Sequence, residues 1–125
     1  MMTSLELIKE AIKAQKRSQS KYSKFPVGCA LLSDDNEVIH GCNIESAVYP
    51  STMCAERVAI YSAISKGITN FNAIAIVSNN SAKPCGSCRQ IIYEYVGNVP
   101  IYISDSNAEK IDTLYIKDLL PHPFG

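Results

Sequence analysis

Apolar positions along the chain change period several times, and each period predicts an element. Leu5, Ile8, Ala11 and Ile12 recur at helical spacing with Lys and Glu between them, which predicts an amphipathic helix over residues 4–19. Ser4 stands where an N-cap belongs. Two short apolar or β-branched runs, 27–33 and 38–42, flank Asp34-Asp35-Asn36 and read as a hairpin. Residues 54–66 return to helical spacing through Val58, Ala59, Ala63 and Ile64, and stop at Gly67. The nearly unbroken apolar run 73–78 has the length of a strand buried on both faces. Residues 85–96 read as a third helix behind Pro84, 100–104 and 110–116 as strands, and 116–120 as a short closing helix. The order α-β-β-α-β-α-β-β needs crossovers, hence some parallel pairing, with helices covering the sheet.

Composition narrows the classes. The 125 residues are enough for one domain, expected over 1–125, and a 46% hydrophobic content argues against disorder. Twelve basic and twelve acidic side chains cancel. A polynucleotide binder needs a basic excess to neutralise phosphates, and none is visible, so a small uncharged substrate is expected and no nucleic acid. Lys13, Lys16, Arg17, Lys21 and Lys24 read as the solvated face of the first helix and its exit. No stretch approaches the roughly 20 apolar residues of a membrane span. Five cysteines, an odd count, fit a disulfide framework poorly. With no apolar leader at the start, the expected compartment is the reducing cytoplasm, where thiols persist and can hold metal.

The chemistry concentrates in Thr52-Met53-Cys54-Ala55-Glu56-Arg57 and Pro84-Cys85-Gly86-Ser87-Cys88-Arg89-Gln90. Three thiols can occupy three corners of a zinc tetrahedron, and three protein ligands with one open corner mark a catalytic site. Glu56, two residues after Cys54, stands where an acid/base group for a bound water belongs. Both motifs open predicted helices, whose partial positive charge favours thiolates. Three thiolates donate so much charge to zinc that something must withdraw it. Arg57 is the candidate.

These motifs resemble those of the small cytidine deaminases. So do Phe25-Pro26-Val27-Gly28-Cys29-Ala30, Gly41-Cys42-Asn43-Ile44-Glu45 and Leu119-Leu120-Pro121-His122-Pro123-Phe124, in the same order. The resemblance implies an α/β three-layer α/β/α sandwich on a mixed five-stranded sheet. It implies zinc on Cys54, Cys85 and Cys88, with Glu56 as the catalytic acid/base. Cytidine and 2′-deoxycytidine would be hydrolysed to uridine, 2′-deoxyuridine and ammonia, in pyrimidine salvage. Phe25 matches an aromatic packed on the base, Asn43 and Glu45 match ribose binders, and the Ala55 backbone would hold the ring amide edge. Tyr49 and Phe124 match aromatics that neighbouring subunits lend to the pocket, which implies a homotetramer with shared sites. Arg57 and Gln90 match positions that tune the thiolates. Val48, Pro50 and His122-Pro123 depart from the usual wording around Tyr49 and Phe124, in loop shape and not in metal chemistry.

Other readings compete. A deaminase of a related aminopyrimidine nucleoside, such as blasticidin S, would share the zinc motif. A non-enzymatic zinc module would take Cys29 or Cys42 as fourth ligand and leave Glu56 without a task, whereas both cysteines lie in strand-like runs and read as packing residues. A polynucleotide-editing deaminase would want a basic groove. His40 and His122 have no partner at ligand spacing.

Overall fold

The computed structural model describes residues 2–125. Helix α1, Ser4–Gln15, is capped by Thr3 rather than Ser4. The Thr3 side chain accepts from Glu6 N while Thr3 N donates to the Glu6 carboxylate, a capping box that leaves Ser4 inside the first turn. The helix stops at Gln15, four residues earlier than its expected end at 19, because the following backbone has other partners. Gln19 N donates to Asn43 O at 3.0 Å, and Glu45 N donates to Gln19 O at 2.9 Å.

Strands β1, Gly28–Ser33, and β2, Val38–Cys42, form the expected antiparallel hairpin, with Asn36 in the left-handed region at its turn. Helix α2 spans Ala55–Ser65 and is followed by β3, Phe71–Val77. Helix α3, Gly86–Ile91, runs on into a π-helical turn at Ile92–Val96, so the expected 85–96 helix is one element with a change of winding. Strand β4 is Ile101–Ser104, β5 is Ile111–Leu114, and the closing helix α4 is Ile116–Leu119.

The sheet order is β2-β1-β3-β4-β5, with β3 and β4 parallel and the other pairs antiparallel. Successive residues of a strand face opposite sides, and here both sides are covered. Cys29, Leu31, Ile74 and Ile76 belong to one core with α2 and Ile92 beyond α3. Ala30, Leu32, Ala75 and Val77 belong to another with Leu7, Ile8 and Ala11 of α1. This is why the central strands lack polar alternation, and it makes the expected three layers. Each large buried side chain, such as Ile8 or Ile74, contributes about 1.5–3 kcal/mol by leaving water.

Two glycines set how closely the helices lie. A Cβ on Gly28 would run into the α1 backbone at Ala11 and Gln15. One on Gly41 would collide with Ala55 O and stand 2.6 Å from Ala59 N. The first turn of α2 can therefore sit directly on β2, and that turn carries Glu56.

Candidate metal centre and pocket

Cys54 is the N-cap of α2 and Cys85 the N-cap of α3, both extended, with Cys88 in the first turn of α3. The two helix starts point their thiols at one spot. All three Sγ atoms lie within 4.8 Å of one another, and Cys54 Sγ is 3.8 Å from Cys85 Sγ. Zinc–thiolate bonds of about 2.3 Å in a tetrahedron require a sulfur–sulfur edge of about 3.8 Å, so this donor set fits zinc. Among the described residues the cluster includes neither Cys29 nor Cys42. Burial pushes both of those thiols up, as expected of packing residues. No further His, Asp or Glu of the described residues joins the group, which leaves it three candidate protein ligands.

The electrostatics around the sulfurs are uneven. The nearby Cys88 thiol is the largest influence on the Cys54 thiol, which with help from Arg57 and Cys85 is lowered to about 5 despite partial burial. The neighbouring Cys54, then burial and the charge of Glu56, push the Cys88 thiol up. Arg57 Nη2 donates to Cys54 Sγ at 3.3 Å, which in turn raises the guanidinium's own pKa. Arg57 Nε is buried without a hydrogen-bond partner among the described residues.

Glu56 is 4% exposed. Burial lifts its carboxyl to about 7, with the Cys54 charge adding to the rise and a backbone hydrogen bond opposing it. It shares a cavity of about 280 Å³ with Phe25, Asn43, Glu45, Cys54 and Cys85. Ala55 lies at the same wall. Lys83 and Ser23, which the sequence did not single out, also border it.

Asn43 and Glu45 organise the pocket rim as well as face it. Asn43 Nδ2 donates to Phe25 O at 2.8 Å, and its Oδ1 accepts from Val27 N at 3.0 Å and from the Ser18 hydroxyl. Glu45 accepts from Tyr22 N and Ser23 N, each at 3.0 Å, and from the Ser23 hydroxyl. The Ser23 bonds are the main reason its carboxyl lies below the ordinary range. Together these bonds hold the loop that carries Phe25.

Tyr49 and Phe124 lie outside the cavity, 76% and 88% exposed. Gln90 makes no hydrogen bond to sulfur among the described residues. Its amide is engaged by Phe124 instead, donating to Phe124 O at 2.9 Å and accepting from Phe124 N at 3.1 Å.

The family sequence model described as "Cytidine and deoxycytidylate deaminase zinc-binding region" matches residues 1–103. The chain belongs to this zinc-binding deaminase family. It is 43% identical over 123 residues to a cytidine deaminase of Sporosarcina psychrophila, covering 96% of this chain and 90% of that one. It is 41% identical over 121 residues to a cytidine deaminase of Halalkalibacterium halodurans, covering 94% and 91%. A blasticidin-S deaminase of Bacillus cereus is more distant, at 32% over 109 residues, covering 79% and 76%. Among solved structures, a cytidine deaminase of Burkholderia pseudomallei superposes with a TM-score of 0.92 at 36% identity, over 98% of this chain and 100% of that one. The α/β deaminase fold expected from the motifs is therefore the fold observed.

Proposed function

We propose that this chain is a cytidine deaminase, hydrolysing cytidine and 2′-deoxycytidine to the corresponding uridines with release of ammonia. The observation that carries the reading is Glu56: a carboxyl 4% exposed, in one cavity with Cys54 and Cys85, two of the three thiols clustered at spacing for a metal. Zinc on Cys54, Cys85 and Cys88 would supply a Lewis acid able to make water a nucleophile at neutral pH. The rest falls to the chain. Glu56 takes a proton from the attacking water and delivers it to ring N3 as oxygen adds to C4. The same carboxyl carries the remaining hydroxyl proton to the amino group, the C4–N bond breaks and ammonia leaves. A group that must act as base and then acid works best with a pKa near the working pH.

Phe25 would pack on the base, the Ala55 backbone would hold its amide edge, and Asn43 and Glu45 would bind the ribose hydroxyls while keeping the Phe25 loop in place. Arg57 would draw charge from Cys54. The exposed Tyr49 and Phe124 are large aromatics suited to contact with other copies, in a homotetramer whose subunits complete one another's pockets. Residues 1–125 would act as a single domain in the cytoplasm, in pyrimidine salvage. None of the described helices is long and apolar enough to cross a membrane.

A panel of cytidine, 2′-deoxycytidine, cytosine, adenosine and blasticidin S, followed by ammonia release from the zinc-loaded protein, tests the reading. Turnover of the first two is expected. Turnover of blasticidin S alone would move the assignment to the related class, and no turnover with bound zinc would favour a non-catalytic module.

A further inference from the structure

Arg89 directly follows the candidate ligand Cys88, and both ends of its guanidinium are used. Nε donates to Pro84 O at 2.7 Å, and Nη1 donates to Leu119 O at 2.8 Å. Pro84 is buried and immediately precedes Cys85, so the first bond closes the loop that presents Cys85 and Cys88. Leu119 is the last residue of α4, where helix carbonyls lack intrahelical partners and the helix end is partially negative. The second bond therefore caps α4 and ties it to α3. Gln90, the next residue, holds both backbone groups of Phe124. Two adjacent side chains of the metal-bearing helix thus suspend the whole segment 119–124.

We propose that Arg89 is a positioning residue that couples the metal loop to the C-terminal segment. Its planar fork reaches two carbonyls on different elements at once, which a lysine ammonium on a flexible stem cannot reproduce. Docking of the segment then fixes the Cys85–Cys88 loop in its ligating shape. By linkage, zinc on the thiols strengthens docking of the segment by the same factor. Phe124 is thereby held where it stands by the state of the metal loop. The inference rests on the reading of Cys54, Cys85 and Cys88 as zinc ligands.

The test measures zinc affinity by competition with a chromophoric chelator, and amide hydrogen exchange at Phe124 with and without zinc. Wild type, Arg89→Lys and Cys85→Ala are compared. Arg89→Lys is expected to bind zinc about 10- to 100-fold more weakly, the size of effect usual for groups that orient metal ligands. In wild type the Phe124 amide is expected to exchange faster once zinc is removed, a readout that needs no variant and that a purely structural arginine would not produce. Unchanged zinc affinity in Arg89→Lys, or Phe124 exchange indifferent to zinc, overturns the coupling. Cys85→Ala binding zinc as tightly as wild type would instead overturn the ligand reading itself.

Discussion

Arg57 Nη2 donates to Cys54 Sγ across 3.3 Å, from one turn inside the helix that Cys54 caps. Cys54 is the N-cap and Arg57 the third helical residue, so the helix itself brings guanidinium and sulfur together. A charge-assisted bond to a thiolate withdraws electron density that the sulfur would otherwise give to a metal.

Replacing Arg57 with Ala should therefore make bound water harder to deprotonate. The acid limb of the pH–rate profile is expected to move to higher pH. Zinc binding at neutral pH is expected to weaken about 10- to 100-fold, because without Arg57 the Cys54 thiol holds its proton more firmly against the metal. Steady-state rates across pH, with zinc content measured on the same samples, check this. A profile and zinc affinity identical to wild type would remove Arg57 from the tuning role.

Gly41 makes a second prediction. Its missing Cβ is what allows Ala55 and Ala59 to approach β2. Gly41→Ala must push α2 away, at a cost of about 1–3 kcal/mol for an overpacked contact, or more against rigid backbone. Because Cys54 and Glu56 travel with the first turn of α2, zinc affinity should fall together with the urea midpoint. Full stability with normal zinc binding would show that the helix can give way freely.

Glu10 links stability to pH. Its carboxyl is held below the ordinary range first by the bond from Lys13 and next by His40, both at 2.9 Å, while Arg17 Nη1 faces the other ring nitrogen of His40. A folded-state pKa below the unfolded value of about 4.3 means that ionised Glu10 favours the folded chain. That contribution is complete above the unfolded value and disappears as pH falls through the folded one. The stability difference between wild type and Glu10→Gln, from urea titrations at a series of pH values, should shrink on acidification. A difference independent of pH would contradict the assignment.

Much of this could be read from the chain because the informative signals are local. The thiols and Glu56 sit in short motifs, and a central strand buried on both faces shows itself as an unbroken apolar run such as Ile74, Ala75 and Ile76. What escaped is non-local. Thr3 outcompetes Ser4 as the cap only because Glu6 can answer it, and α1 ends early because Gln19 pairs with Asn43 and Glu45. The internal hydrogen bonds of Asn43 reach back to Phe25, Val27 and Ser18, positions that no spacing rule connects. The hold of Arg89 on Leu119 and of Gln90 on Phe124 likewise joins segments 30 and 34 residues apart.

The most direct measurement pairs zinc content with ammonia release from cytidine for wild type and Glu56→Gln. Bound zinc should be retained in both, with turnover in the variant lower by about 10²–10⁴, the usual contribution of a positioned acid/base group. A Glu56→Gln protein that deaminates cytidine at the wild-type rate, or a fully active wild type that holds no zinc, would contradict the account.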